Sequence, residues 1–302
     1  MRVAVTGASG FLGSHIVRAL HRAGHEVVGV VRNKEKARFL EPDASLSRAD
    51  IMDVSAMTAA FHGADAVIAN AAVSPGWSKV SAEEIVRANV VGTRNTLQSA
   101  HAAGCSRVVL VSTVAIYKTR LFAALDEASP RIAQQGGVDL KALVTNPAYA
   151  RSKAAAEEAA WSAAGSLDLQ LTALRPGPIY GPRDHKLTAR YGKWMRRRVV
   201  VAPTVRLPHV HAGDVAGAVV SALASPGSVG QAYNVTGPSA SVYEVLRTWR
   251  RVAKGGAVVV PLPLPLGVRF DDRAARRDLG FEPRSIREGL DDTVRWFQLQ
   301  YR

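Results

Sequence analysis

The chain of 302 residues has one cysteine, Cys105, so no intrachain disulfide can form and a reducing compartment suits it. Cys105 precedes an apolar run and reads as a small packing residue. Long apolar stretches are also missing. The longest, Ala257 to Val268, is broken by Pro261, Pro263 and Pro265, too short and too proline-rich to span a bilayer. The N-terminus enters a strand at once, without a charged leader and apolar core. We therefore expect a cytoplasmic protein with no membrane partner. Acidic residues are few, 25 against 39 Lys and Arg, for a formal net charge of +14. That balance is compatible with nucleic acid or an acidic ligand. The arginines are spread along the chain, however, and the one dense run, Arg190 to Arg198, reads as a solvated basic helix face. No specific nucleic acid and no metal are expected; a small-molecule substrate is.

What is present begins at residue 1. Val3, Ala4 and Val5 make a short apolar run that predicts a buried strand. Gly7, Gly10 and Gly13 follow, and then Phe11, Leu12, Ile16, Val17 and Leu20 recur at helical spacing. A glycine-rich turn alone is ambiguous. Between a strand and a helix, the first two glycines allow a tight turn and close approach to a pyrophosphate, and the third allows close helix packing. The helix then points its free N–H groups and positive end at the phosphates. We read Met1 to Gly13 as a nucleotide-binding element.

The same alternation continues. Strands are predicted at Glu26–Val31, Ser45–Asp50, Asp65–Ala69, Arg107–Val111 and Leu167–Leu174. Helices are predicted near Asn33–Phe39, Val54–Phe61, Glu83–Ala103 and Pro147–Ala164. This order implies an α/β, doubly wound parallel sheet. Beyond Gly181 the pattern loosens, with helices at Ala212–Leu223, Val242–Val252 and Ser285–Gln300 and strands at Ala232–Val235 and Val258–Val260. The expected organisation is a dinucleotide-binding Rossmann domain over 1–182, to which 209–236 returns. A smaller, irregular α/β substrate-binding part comprises 183–208 and 237–302. Residues 119–146 read as a loop over the site.

Arg32 stands where a dinucleotide-binding unit often has an acid for the ribose 2′-OH. A guanidinium pairs with a 2′-phosphate instead, so NADP(H) is favoured over NAD(H). Asp50 and Ile51 sit where an adenine ring could be met. Asn70, Ala71 and Ala72 end a strand with small residues that leave room for a ligand. Asn89, inside a helix among apolar and small neighbours, is either a structural link or part of a polar relay. Tyr149 and Lys153 are four residues apart and share a helix face. Such pairs are common on helix surfaces. Here the pair follows five βα units and a strand ending in Ser112-Thr113. A nearby ammonium stabilises a phenolate, so Tyr149 could act as acid/base beside a nicotinamide, with Thr113 hydrogen-bonding the reacting oxygen.

These segments together resemble the extended short-chain dehydrogenase/reductases, the NAD-dependent epimerase/dehydratase family. The resemblance runs through Thr6-Gly7-Ala8-Ser9-Gly10-Phe11-Leu12-Gly13, Asn89-Val90-Val91-Gly92-Thr93, Ser112-Thr113 and Tyr149-Ala150-Arg151-Ser152-Lys153. It continues through Arg175-Pro176-Gly177-Pro178, Val210-His211 and Tyr233-Asn234-Val235. It implies Tyr149 as acid/base, Lys153 as its partner and holder of the nicotinamide ribose, and Thr113 as third member. Asn89 would support the geometry. Gly7, Ser9, Gly10, Phe11, Leu12, Gly13, Arg32, Asp50, Ile51, Asn70, Ala71, Ala72 and Pro176 would meet the cofactor. His211 and Asp214 match the family and read as structural. Pro178 stands where nucleotide-sugar enzymes carry an asparagine for sugar-nucleotide phosphates, and Arg206 matches their arginine only approximately. The segment Arg175–Pro182 and the prolines 261–265 are closer to the hydroxysteroid dehydrogenase and dihydroflavonol reductase branch. An NADP(H)-dependent oxidoreductase acting on a ketone, aldehyde or secondary alcohol is expected. A nucleotide-sugar epimerase or dehydratase is the alternative, and a non-catalytic dinucleotide-binding regulator the third. The resemblance also implies a homodimer paired through the helices of Glu83–Ala103 and Pro147–Ala164.

Overall fold

The computed structural model describes residues 1–73, 81–118, 124–132, 147–264 and 266–301. The chain runs β1 (Arg2–Thr6), α1 (Phe11–Arg22), β2 (Glu26–Val31), β3 (Ser45–Arg48), α2 (Val54–Phe61), β4 (Ala66–Ala69), α3 (Ala82–Ala102), β5 (Arg107–Val111), β6 (Ala124–Leu125), α4 (Pro147–Ser166) and β7 (Gln170–Pro176). It continues through β8 (Ile179–Tyr180), α5 (Leu187–Met195), β9 (Val199–Pro203), β10 (Arg206–Pro208), β11 (Val210–His211), α6 (Ala212–Ala224), β12 (Ala232–Val235), β13 (Ser239–Ser241), α7 (Val242–Val252), β14 (Val258–Leu262), β15 (Arg269–Phe270), α8 (Arg273–Leu279) and α9 (Ile286–Gln300). Most of the expected 119–146 loop lies outside the described residues.

Seven strands form one parallel sheet in the order β12-β7-β5-β4-β1-β2-β3. The winding reverses between β1 and β4, whose register pairs Val3 with Ala66 and Val5 with Ile68. That reversal opens a crevice at the carboxyl ends of these strands, the usual ligand position in an open α/β sheet. β1 and β4 read as unbroken apolar runs because both sheet faces are covered. Ile16, Val17 and Leu20 of α1 pack on one face with Val215 and Val219 of α6. Met57, Phe61 and Leu97, from α2 and α3, cover the other, together with Ala160 and Ala164 of α4. Each buried aliphatic side chain of this kind stabilises the fold by about 1.5–3 kcal/mol. Cys105 is part of the second face, its thiol directed at the Ala64 carbonyl.

A smaller core joins α5, α7 and α9 to β9 through Tyr191, Leu246, Trp249, Leu290 and Phe297. Capping boxes fix the starts of three helices: Ser81 with Glu84, Ser241 with Glu244, and Ser285 with Glu288. No helix among the described residues is long and apolar enough to cross a membrane.

Several boundaries differ from the sequence reading for local reasons. The helix expected near Asn33–Phe39 is a 3-10 turn, Glu35–Leu40, started by the Asn33 side chain accepting from the Lys36 amide. The sixth strand starts at Gln170 rather than Leu167, because α4 runs to Ser166 and Asp168 turns in the left-handed region (φ 52°). The basic run is not one helix face. α5 ends at Met195, and Arg196, Arg197 and Arg198 form the turn into β9. β14 continues through Pro261 to Leu262, since among the described residues it pairs only with β9 and its other edge needs no amide.

One buried polar cluster ties the site helix to the sheet. Glu157, on α4, is fully buried and accepts from Arg175 of β7, whose Nε lies 3.2 Å from each carboxylate oxygen. Arg175 also donates to the Tyr117 hydroxyl (2.7 Å) and to the Glu127 carbonyl. Tyr117 donates in turn to Asn234 of β12 at 2.6 Å. Replacing Glu157 by Gln would leave a buried guanidinium without its counter-charge. We expect urea denaturation to show a loss of about 3–5 kcal/mol for Glu157→Gln. Arg38→Ala, which breaks an exposed pair with Glu35, should leave the midpoint unchanged.

Candidate active site

The turn after β1 closes only because three side chains are absent. Gly7 has φ +65°, and a Cβ there would stand 2.9 Å from the Ala71 Cα. A Cβ on Gly13 would stand 2.1 Å from the Gly7 carbonyl oxygen. The turn thus presses against both the end of β4 and the first turn of α1. Thr6 braces the junction: its hydroxyl accepts the amides of Asn70 and Ala71, both at 3.0 Å, and donates to the Ile68 carbonyl. The Asn70 side chain donates to the carbonyls of Thr6 and Gly7. No side chain caps α1, whose N-cap residue is Gly10, and no acid lies in its first turn. Its free amides and positive end therefore face the crevice, which suits a phosphate and disfavours a cation.

A groove of about 900 Å³ runs over this turn. Gly7, Ser9, Gly10, Phe11, Leu12 and Gly13 form its floor. Arg32, Asp50 and Ile51 also line it, as do Asn70, Ala71 and Ala72. The Arg32 side chain is exposed and makes no hydrogen bond or ion pair with the described residues. Asp50 accepts the Met52 amide at 2.9 Å, which orients its carboxylate. A dinucleotide would fit these residues: the amide-rich turn would hold its pyrophosphate, and Asp50 with Ile51 would meet an adenine.

The groove opens into a second cavity of about 390 Å³, and Leu12, Asn70, Ala72 and Ile179 line both. Thr113, Tyr149, Lys153 and Pro176 line this inner cavity. Its outer wall is apolar, made by Leu207, Pro208, Val268 and Phe270. Thr113 caps the short turn Val114–Ile116, accepting the Ala115 amide and donating to the Pro176 carbonyl at 3.4 Å. Lys153 is buried and donates to the Val111 carbonyl at 2.8 Å. Desolvation lowers its pKa to about 8, against the raising effect of the Glu157 carboxylate one turn further along α4. Tyr149 is half-buried, and burial pushes its phenol up to about 12. The phenol thus holds its proton at neutral pH, and Lys153 lies one turn further along α4.

Asn89 lines neither cavity. Its amide donates to the Val73 carbonyl (3.0 Å) and the Ser152 hydroxyl (2.9 Å), and its oxygen accepts the Val73 amide at 2.7 Å. Through these bonds α3 holds both the strand end at 70–73 and the residue before Lys153. His211 and Asp214 serve packing, His211 accepting the Gly213 amide and Asp214 pairing with Arg284 at 2.7 Å.

Sequence reasoning missed the far bank of the groove, Arg183 to Leu187. Arg183 has φ +71° and lays its guanidinium 3.8 Å over the Phe39 ring. Its Nε is buried without a partner, and desolvation together with Arg18 lowers its pKa. A lone arginine after Gly181-Pro182 gives no periodic signal. The available cue was its place directly after a glycine-proline turn. The apolar wall of the inner cavity was missed because Leu207, Pro208, Val268 and Phe270 come from short extended segments.

The chain matches the family described as NAD dependent epimerase/dehydratase over residues 3–236. It is 32% identical over 197 residues to a 2-alkyl-3-oxoalkanoate reductase of Stenotrophomonas maltophilia, covering 65% of this chain and 56% of that protein. The chain therefore spans little more than half of that relative. An NADPH-dependent methylglyoxal reductase of Saccharomyces cerevisiae is 27% identical, with 97% of each chain covered. The crystal structure of yeast methylglyoxal/isovaleraldehyde reductase Gre2 with NADPH gives a TM-score of 0.84 at 24% identity, over 99% of both chains, and so shares the fold. A dTDP-glucose 4,6-dehydratase of Streptomyces niveus is 28% identical, over 99% of this chain and 93% of that one. With the parallel sheet, the glycine turn and the paired cavities in place, the chain belongs to the NAD dependent epimerase/dehydratase family.

Proposed function

We propose that the protein is an NADP(H)-dependent reductase or dehydrogenase that interconverts a partly apolar ketone or aldehyde and its alcohol. The observation that carries this reading is the inner cavity. Tyr149, Lys153 and Thr113 stand on one side, and the wall facing them is Leu207, Pro208, Val268 and Phe270, without a charge. A sugar diphosphate would need cations there. The nearest candidate, Arg206, instead pairs with Glu244 at 2.7 Å and donates to the Ser239 carbonyl. Two reductases among the relatives support carbonyl reduction, one of them NADPH-dependent by name.

When bound, the nicotinamide supplies or accepts a hydride. The chain does the rest. Thr113 and Tyr149 hold the carbonyl oxygen, and Tyr149 gives it a proton as the carbon is reduced. Lys153, as ammonium, lowers the cost of the resulting phenolate. The apolar wall excludes water and receives the substrate's hydrocarbon part. At the other end, Arg32 and Arg183 are the guanidinium groups offered to a 2′-phosphate; neither has a carboxylate partner among the described residues.

Three measurements test this. Purified protein titrated with NADPH and NADH should prefer NADPH, and Arg32→Ala should weaken NADPH binding roughly 10- to 100-fold while leaving NADH nearly unchanged. A cofactor that copurifies and does not exchange would favour the epimerase or dehydratase alternative. Tyr149→Phe should lower kcat for reduction of medium-chain 3-oxo esters or aldehydes about 10³-fold with little change in cofactor binding. For the free protein, kcat/KM for reduction should fall as pH rises through about 8, where Lys153 loses its proton. Full reduction activity at pH 10 would exclude that role for Lys153.

A further inference from the structure

The apolar run that is too short to span a bilayer forms an exposed surface instead. β14 and β9 make a two-stranded parallel ribbon in which Val258 pairs with Val199, Val260 with Val201 and Leu262 with Pro203. Alternate residues, Val200, Ala202 and Val259, turn inward onto the smaller core. The outward row is therefore Val199, Val201, Val258, Val260 and Leu262. Val201 is 61% exposed and Val199 55%. Leu264 and Leu266 extend the row and are exposed too. Of the twelve large apolar side chains exposed among the described residues, seven lie here, so this is a patch and not scatter.

Cations rim one end of it. Both strands run parallel, so the turns that precede them lie side by side: the Ala257 amide donates to the Met195 carbonyl and the Val258 amide to the Arg198 carbonyl. Arg196, Arg197 and Arg198 occupy one turn, and Arg250, Arg251 and Lys254 end α7 beside the other, all exposed and none in an ion pair among the described residues. From residue 185 to 270 the acids are Asp214 and Glu244, already paired with Arg284 and Arg206.

We propose that this ribbon is a peripheral docking surface for an anionic lipid bilayer. The charge complementarity selects the occupant. Lipid phosphates match the six cations, and the aliphatic row needs only hydrocarbon. A second copy packed face to face would cover the valines but leave the cations without counter-charge. The row offers no side-chain donor or acceptor to orient a protein partner. The segment through Leu264 and Leu266 leads into Val268 and Phe270 of the inner cavity, so the docked face adjoins the apolar wall of the site. The proposal runs against the sequence-based expectation of no membrane partner, and the vesicle experiment decides between them.

The test uses the full chain and sedimentation with vesicles of phosphatidylcholine, with or without phosphatidylglycerol. We expect binding to the anionic vesicles that is at least about tenfold stronger than to neutral ones and weakens with salt. A Val201→Asp, Val260→Asp double variant and an Arg196→Ser, Arg197→Ser, Arg198→Ser triple variant should each lower it about tenfold at unchanged melting temperature. No sedimentation with anionic vesicles overturns the proposal. So does an aspartate variant that sediments like the wild type, since charge alone then explains binding. Light scattering that finds a wild-type dimer and a monomeric aspartate variant assigns the face to a second copy and also overturns it. None of these outcomes depends on the cofactor or substrate reading.

Discussion

A buried guanidinium organises this protein. Arg175 leaves the end of β7 and is held by the fully buried Glu157 of α4, by the Tyr117 hydroxyl and by the Glu127 carbonyl. Each partner belongs to a different part of the chain, and Tyr117 passes the connection to Asn234 of β12. Asn234 completes the set by donating to the carbonyls of Leu125 and Asp271. In a low-dielectric interior such a network is favourable only when every member is satisfied. The position of α4, and with it the face carrying Tyr149 and Lys153, is therefore set by charge neutralisation as much as by apolar packing. α4 is alanine-rich, and small side chains define position weakly on their own.

The same carboxylate reaches the site electrostatically. Glu157 faces Arg175 on one side and opposes the desolvation of Lys153 on the other. Burial alone would strip the ammonium of its proton at a lower pH. With Glu157 present, Lys153 stays charged at neutral pH while remaining dry. Tyr149 keeps its proton. Both groups line the same cavity, together with the apolar side chains Leu207, Pro208, Val268 and Phe270.

Much of this was legible in the sequence, because strong local rules agree there. The glycines at 7, 10 and 13 followed a strand and preceded a helix, and the geometry shows why: a Cβ at 7 or 13 collides with backbone. Val54–Phe61, Arg107–Val111, Ala232–Val235 and Val242–Val252 emerge with the expected bounds. What was not legible depends on tertiary partners. β9 follows three arginines and shows no strand pattern until it is paired, and the strand expected at Val258–Val260 runs on through Pro261 to Leu262 only because of that pairing. Arg183 and the apolar wall of the inner cavity come from turns and short extended pieces. The role of Asn89 required knowing that Val73 and Ser152 lie on either side of it.

The path of β12 has a consequence for how the molecule is made. This strand pairs with β7, yet fifty-five residues separate Pro176 from Ala232, and they include α5, β9, β10 and α6. During synthesis from the N-terminus, β7 emerges as a sheet edge whose outer amides and carbonyls have no partner until residues 232–235 arrive. Arg175, on that strand, also waits for Asn234 to complete its cluster. A nascent chain stalled before residue 232 therefore leaves β7 paired with β5 on one side and open on the other, so the interval between residues 176 and 232 is when the growing sheet is most exposed to pairing with another chain.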